Sequence, residues 1–261
     1  MRSRVFSMFM AAALLLVLAG CGGSEQPASK EEPKAAAPAA TVDPATAATV
    51  TGTVKLDGTA PRAKRINMAA EPSCASKHAG SPPMTEEVVT GAGGTLANVV
   101  VYVKSGLSGA APAASGSVEL DQVGCMYTPH VIAVQTNQQI NIKNGDPTTH
   151  NIHPTPAVNR EWNESQPQGA ADLQKTFARE EIAIPVKCNV HPWMKSYIAV
   201  IGHPYFAVSK PDGTFEIKNL PPGSYTLEAW HEKFGTTTMQ VTVAAKESKA
   251  ADFTFKATSG D

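Results

Sequence analysis

Short runs of alternating hydrophobic and polar residues, separated by Gly, Pro, Asn and Asp, recur along the chain from about residue 48 onward. One example is the series Tyr225, Leu227 and Ala229, which follows the turn sequence 221–223. A period of two is typical of strands with one buried face, whereas stretches with helical periodicity are scarce here. Many short strands between regular turns predict an all-β protein built from β-sandwiches.

In one predicted strand the even positions are all apolar: Ile182, Ile184, Val186 and Cys188. Successive side chains of a strand point to opposite faces, so these four are predicted to share one face. The pattern therefore predicts that Cys188 points into the protein. A buried thiol at the end of a strand is usually only a small apolar residue.

Two further potential metal ligands follow that cysteine, in the Cys-x2-His-x2-Met run formed by Cys188, His191 and Met194. Three ligand types within so short a run are hard to explain as packing. A rigid site needs another ligand from a different strand, and His150 follows a turn at 144–147 that ends a predicted strand. One thiolate, two imidazoles and a thioether are the ligand set of mononuclear copper sites in electron-transfer proteins.

His153 competes with His150 as the first ligand. Three residues further along a strand, it is expected to face away from a site that His150 faces. We therefore predict that His153 is exposed or supports the site indirectly. Asn151 is predicted to hydrogen-bond to the loop at Asn189 and so to tie the two ligand segments together.

The stretch from about residue 118 to 205 resembles a cupredoxin of the amicyanin and plastocyanin type. The resemblance rests on the spacing of the Cys188 to Met194 run, with Pro192 after the histidine, and on the His-Asn-aliphatic-His sequence 150–153. It implies one type 1 copper ion held by His150, Cys188, His191 and Met194. It also implies that an edge of His191 reaches the surface beside Trp193 as a docking patch; alternatively, Trp193 only packs the loop against the barrel.

The chain has four cysteines, and two of them, Cys74 and Cys125, remain if Cys21 is lipidated and Cys188 binds the metal. In a secreted chain such a pair indicates a disulfide. The alternative is a second metal site that includes His78 and His130, although neither Cys-to-His spacing is a strong ligand signature.

The C-terminal stretch from Lys210 to Phe255 resembles the carboxypeptidase regulatory-like domain, a small transthyretin-like β-sandwich. Its usual opening strands resemble 51–58 and 97–103, which precede the copper segment. The resemblance implies a cupredoxin-like domain, 105–205, nested in a second sandwich made of 48–104 plus 206–257. That second sandwich has no set of catalytic residues in sequence. Its expected role is to brace and present the copper domain; the alternative is binding of carbohydrate or of another envelope protein.

The N-terminus combines basic residues with an apolar stretch that is too short for a membrane span but normal for a signal peptide. The sequence 18–21 resembles the lipobox of bacterial lipoproteins, which implies a signal peptide over 1–20 and lipidation of Cys21; ordinary secretory cleavage is the alternative. Residues 21–47 are rich in Ala, Pro, Glu and Lys, so they are predicted to form a disordered tether.

Composition narrows the function further. The 261-residue chain has a formal net charge of −1. It therefore lacks the excess of basic residues that is typical of nucleic-acid-binding proteins. The expected protein is lipid-anchored in the bacterial envelope, on the periplasmic or outer-membrane side, and carries single electrons between redox proteins such as a dehydrogenase or a cytochrome. It is not expected to be an enzyme. The rival hypotheses are copper storage or delivery, and a structural lipoprotein without a redox role.

Overall fold

The computed structural model describes residues 43–257. The predicted signal peptide 1–20, Cys21 and the tether up to residue 42 lie outside the described residues. The regular secondary structure of residues 43–257 is almost entirely β, which confirms the predicted all-β fold class. The strands are β1 (Ala48–Asp57), β2 (Val100–Ser105), β3 (Ser117–Val123), β4 (Met126–Thr128), β5 (Val131–Gln135), β6 (Gln139–Asn144), β7 (His150–Pro154), β8 (Glu164–Gln166), β9 (Leu173–Lys175), β10 (Glu181–Lys187), β11 (Lys195–Ile201), β12 (Phe206–Val208), β13 (Thr214–Leu220), β14 (Gly223–His231), β15 (Gly235–Val243), β16 (Ser248–Ala250) and β17 (Phe253–Lys256).

Helical structure in the described part is limited to α1 (Pro72–Lys77) and one 3-10 turn, Ala92–Gly94. No helix within residues 43–257 is long and apolar enough to span a bilayer. Both short helical segments lie in the connection between β1 and β2.

The first sandwich combines strands from the two ends of the described chain. One of its sheets has the order β13-β1-β16, with β17 also paired to β1, and the other has the order β12-β2-β14-β15. Alternate residues of both sheets meet in one hydrophobic core, which includes Val50, Val101, Ile217, Leu227 and Phe253. Burial of these side chains is the main stabilising contribution to this half of the molecule.

The second sandwich is built from the strands between β2 and β12. Its sheets have the orders β4-β3-β6-β9 and β5-β11-β10-β7-β8. Their inner faces share a separate core that includes Leu120, Ile142, Ile152, Ile184 and Ile198.

The two sandwiches pack against each other through the outer faces of the β2 and β11 sheets. Trp230 of β14 contacts Tyr197 of β11, with ring centroids 5.4 Å apart, and both belong to a third apolar cluster that also contains Val100 and Ile201. Strands buried on both faces show nearly continuous apolar runs rather than alternation. This burial explains the run 198–201 in β11.

A β-bulge in β10 interrupts the predicted alternation of inward-facing and outward-facing side chains. The strand register shifts between Glu181 and Ile184, and Ala183 has a φ of 68°. An extra residue at a bulge reverses the faces that follow it, so Ile182 packs in the cluster between the sandwiches and Ile184 in the second core. The prediction that these two residues share a face is wrong, whereas Cys188 is buried as predicted.

The β1–β2 connection, residues 58–99, leaves the first sandwich and returns to it. In between, Ile66, Met68 and Cys74 are buried in the core of the second sandwich. The connection therefore brings α1 to the end of the second sandwich where the candidate ligands lie.

Candidate metal centre

Three potential metal donors converge at one end of the second sandwich. His150 begins β7, Cys188 follows β10, and His191 lies in the loop between β10 and β11. Their donor atoms all lie within 4.8 Å of one another. The two Nδ1 atoms of the histidines are 2.9 Å apart, and the Cys188 Sγ is 3.8 Å from the Nδ1 of His191. All three residues are buried.

The β10–β11 loop places its donors through its own hydrogen bonds. The Met194 amide donates to the His191 carbonyl at 2.9 Å, and the Cys188 amide donates to the Met194 carbonyl at 3.3 Å. The His191 amide donates to the Cys188 Sγ at 3.3 Å. Met194 is fully buried in the same core cluster. All four predicted ligands therefore lie at this end of the sandwich.

The predicted tie between the two ligand segments is confirmed. The amide of Asn189 donates to the side-chain Oδ1 of Asn151 at 2.9 Å. His153 lies outside the donor group: its Nδ1 is 3.2 Å from the Asn189 Oδ1, and its Nε2 is 2.6 Å from Glu161. As expected from its position in the strand, His153 does not point toward the donors.

Asp146 is a site residue that the sequence reasoning missed. The Nε2 of His150 donates to the Asp146 Oδ2 at 2.8 Å, and the Lys77 Nζ lies 2.7 Å from Oδ1. A proton held on Nε2 leaves the Nδ1 lone pair free for a metal. Asp146 stands four residues before His150 in a turn that the sequence identified only as the end of a strand.

The environment of Asp146 favours its charged form. Burial alone would raise the pKa of the carboxyl, but hydrogen bonds from His150, Lys77 and the amides of Gly124 and Cys125 lower it well below its usual range. The resulting carboxylate is positioned to increase the basicity of His150 as a ligand.

The Cys188 thiol is also shifted toward its charged form. Burial would raise its pKa, but the side chain of His150 and the backbone amides of His191, Asn151 and Val190 lower it. Since the thiolate is the form that binds metals, this environment suits a ligand.

The structure joins Cys74 and Cys125 in a disulfide, with an S–S distance of 2.03 Å. The alternative of a second metal site at these cysteines is wrong, because both sulfur atoms are bonded to each other. The two histidines proposed for that site have other partners: His78 contacts the Gly124 carbonyl at 2.7 Å, and His130 pairs with Glu232.

The predicted surface edge of His191 is not exposed. Its exposed fraction is 0%, because α1 places the Cys74 Sγ 3.7 Å from its Nε2. Trp193 packs beside it, with ring centroids 5.2 Å apart, and its Nε1 donates to the Cys125 carbonyl at 3.0 Å. The expectation of a docking patch at the His191 edge is therefore wrong, and Trp193 has the packing role.

The chemistry of this donor group fits a transition metal with mixed soft and borderline ligands. It comprises one thiolate and two imidazole nitrogens, with a thioether residue in the same core. Carboxylate-preferring ions such as Mg²⁺ or Ca²⁺ are a poor match for it. A second group, Cys125, Asp146 and His150, cannot act as a ligand set because Cys125 is in the disulfide.

Fold and site together define an all-β protein with a candidate mononuclear metal centre. The family model of the carboxypeptidase regulatory-like domain matches residues 197–256. This match begins within β11 and covers less than a quarter of the chain. A search of curated proteins gave no match.

Solved structures similar to part of this chain include copper proteins. The reduced state of an amicyanin variant is 20% identical over 38% of this chain and 97% of that chain, with a TM-score of 0.30. A purple cupredoxin from Nitrosopumilus maritimus is 16% identical over 32% of this chain and 98% of that chain, with a TM-score of 0.28. A copper-containing nitrite reductase from Thermus scotoductus SA-01 is 19% identical over 37% of this chain, with a TM-score of 0.28, and this chain spans only 25% of its length. At these TM-scores the similarities carry no argument about function.

Proposed function

We propose that this protein is a copper protein of the bacterial envelope that carries single electrons between redox partners. The observation that carries the proposal is the buried convergence of the His150 and His191 Nδ1 atoms with the Cys188 Sγ. We propose Met194 as the fourth ligand. A copper ion bound there would supply one-electron chemistry, because thiolate and thioether ligands favour Cu(I) whereas imidazoles suit Cu(II).

The protein's own contribution is to keep the donors in place. His150 is fixed by Asp146, and the Cys188 loop is fixed by the bond from Asn189 to Asn151. Such supporting contacts orient ligands and limit their movement. Limited rearrangement between two oxidation states is the property that an electron carrier needs.

We propose that the protein is not an enzyme in its own right. Cys188 is 3% exposed, and His150 and His191 are 0% exposed, so the donor residues offer a substrate almost no accessible surface. The same closure disfavours the rival function of copper delivery, which requires an exchangeable site.

The wider arrangement is also proposed. Residues 105–205 would form the copper domain, nested in the sandwich of 48–104 and 206–257, with the lipidated Cys21 as a membrane anchor and residues 21–47 as a tether. The electron partners would be redox proteins such as a dehydrogenase or a cytochrome. The distribution of strands over the two cores supports this division, except that Ile66, Met68 and Cys74 of the β1–β2 connection pack in the core of the copper domain.

The test is to load the purified full-length protein with Cu(II) and record its visible absorption. We expect an intense thiolate-to-copper band and reversible one-electron cycling, and we expect loss of the band in Cys188→Ser. Copper binding without that band, or bleaching without recovery, would support storage or delivery instead. If the protein binds no copper, the remaining hypothesis is a structural lipoprotein without a redox role.

A further inference from the structure

The β1–β2 connection covers the proposed metal centre with a short segment, residues 71–78, which we call the lid. The lid contains α1 and the buried Cys74. Its cysteine Sγ sits 3.7 Å from the Nε2 of His191, the ring nitrogen that does not face the other donors. The lid thus occupies the position through which this imidazole would otherwise reach solvent.

Three separate contacts fix the lid to the second sandwich. Cys74 is bonded covalently to Cys125 in the turn between β3 and β4. Lys77 forms an ion pair with Asp146, whose side chain is fully buried. His78 contacts the carbonyl of Gly124. The lid is thus held by a covalent bond, an ion pair and a contact with the backbone.

The disulfide makes the closure durable. Both of its cysteines are 0% exposed, so a reductant in solution has no direct access to the sulfur atoms. It ties the lid covalently to the turn between β3 and β4, so the lid cannot move away from this turn while the bond is intact. The lid is therefore built as a fixed cover rather than a mobile gate.

We propose that the lid restricts the metal centre to reactions in which only an electron crosses the protein surface. This inference rests on the proposed function. An external one-electron oxidant would gain the electron that a bound Cu(I) ion loses on becoming Cu(II), without forming a bond to the metal. Small ligands and chelators would be excluded. A redox partner would then contact the outer surface of the lid, where Pro72 and Ser76 are exposed, instead of the His191 ring.

The first test compares the copper-loaded full-length protein with the double variant Cys74→Ala, Cys125→Ala. In the unchanged protein, azide should leave the visible spectrum unaltered and EDTA should remove copper slowly. In the double variant we expect azide to alter the spectrum and copper release to accelerate by about tenfold or more. Equal release rates and equal insensitivity to azide in both proteins would overturn the proposal.

A milder variant keeps the test decisive if the double variant does not fold. Lys77→Met removes the ion pair to Asp146 and leaves the disulfide intact, and we expect copper release to become roughly two- to fivefold faster. Lys64→Met is the matched control, since Lys64 lies in the same connection and is exposed, whereas the lysine that pairs with Asp146 is Lys77. Equal release rates in the two lysine variants would count against the lid.

A third measurement does not depend on copper. In the metal-free unchanged protein, diethyl pyrocarbonate should modify His191 slowly. In the metal-free double variant Cys74→Ala, Cys125→Ala, we expect this modification to be at least about tenfold faster. Mass spectrometry of the peptide that contains His191 measures both rates. If the protein fails to bind copper but His191 shows this protection, the proposed function fails and the lid stands. If copper binds normally but His191 is modified equally fast in both proteins, the lid fails and the proposed function stands.

Discussion

His150 donates from its Nε2 to the Asp146 Oδ2 at 2.8 Å, while the other oxygen of the same carboxylate lies 2.7 Å from the Lys77 Nζ. One buried carboxylate thus links a candidate metal ligand in the second sandwich to the lid that arrives from the first. The link joins the connection between β1 and β2 to a site some seventy residues away along the chain. The ligand, its carboxylate partner and the lid form one continuous contact network.

Replacing Asp146 with Asn is expected to weaken copper binding by about 10- to 100-fold, the usual effect of losing a partner of a ligating histidine. The amide still accepts a hydrogen bond from His150, but it lacks the charge that makes the ring more basic. Competition titration with a chelator measures the change. Asp121→Asn is the matched control, because Asp121 accepts from the nearby Gly145 amide without contacting His150. Equal losses in both variants would contradict the role of Asp146.

Replacing Cys188 with Ser is expected to abolish the thiolate-to-copper absorption and leave the β-sheet circular dichroism spectrum unchanged. A hydroxyl cannot supply the charge-transfer band, and the two side chains have nearly the same size, so the core is only slightly disturbed. Absorption titration with Cu(II) and far-ultraviolet spectra of both proteins provide the measurement. A band that persists in Cys188→Ser would place the thiolate ligand elsewhere.

The candidate ligands could be predicted from sequence because most of them lie close together along the chain. Cys188, His191 and Met194 lie in one loop, and its tie through Asn189 to Asn151 follows from the two segments being neighbours. Residues of this kind reveal their chemistry through type and spacing alone.

The lid could not be predicted because it depends on contacts between distant segments. Nothing near Cys74 in sequence indicates that it lies over His191, and the pairing with Cys125 indicates only that the two segments meet. The bulge at Ala183 was missed for a different reason. A single residue with positive φ shifts the strand register without changing the apolar pattern on which the prediction was based.

Replacing Trp230 with Ala is expected to reduce the free energy of unfolding by about 3 kcal/mol or more, a typical cost for truncating a buried aromatic side chain. Trp230 is 9% exposed and packs against Tyr197 between the two sandwiches. Denaturant unfolding of both proteins measures the change. The control is Val158→Ala, since Val158 is 50% exposed and should change the stability by less than about 0.5 kcal/mol. A comparable effect of the two substitutions would show that the sandwich interface contributes little.

A pH-dependent contribution is expected from His130, which lies between the sandwiches. Burial alone would lower its pKa, but the hydrogen bond and charge of Glu232, together with the charge of Glu86, raise it above the ordinary value of 6.5. A raised folded-state pKa means that the folded protein binds the proton more tightly than the unfolded chain does. The stabilisation is therefore complete below pH 6.5 and is lost as pH rises through the folded-state pKa. Nearby His231 has a pKa lowered to about 4 by burial and by His130, so it contributes with the opposite sign.

Comparing variants isolates the contribution of His130, because most of the His231 effect is common to both proteins. We expect His130→Gln to cost about 2 kcal/mol at about pH 5.5, the usual contribution of a hydrogen bond between charged groups, and clearly less at about pH 8.5. Denaturant unfolding at the two pH values provides the numbers. His153→Gln serves as the control, since this histidine pairs with the exposed Glu161 outside the sandwich interface. A cost for His130→Gln that stays constant or grows with pH would mean that the imidazole is not charged in its pair with Glu232.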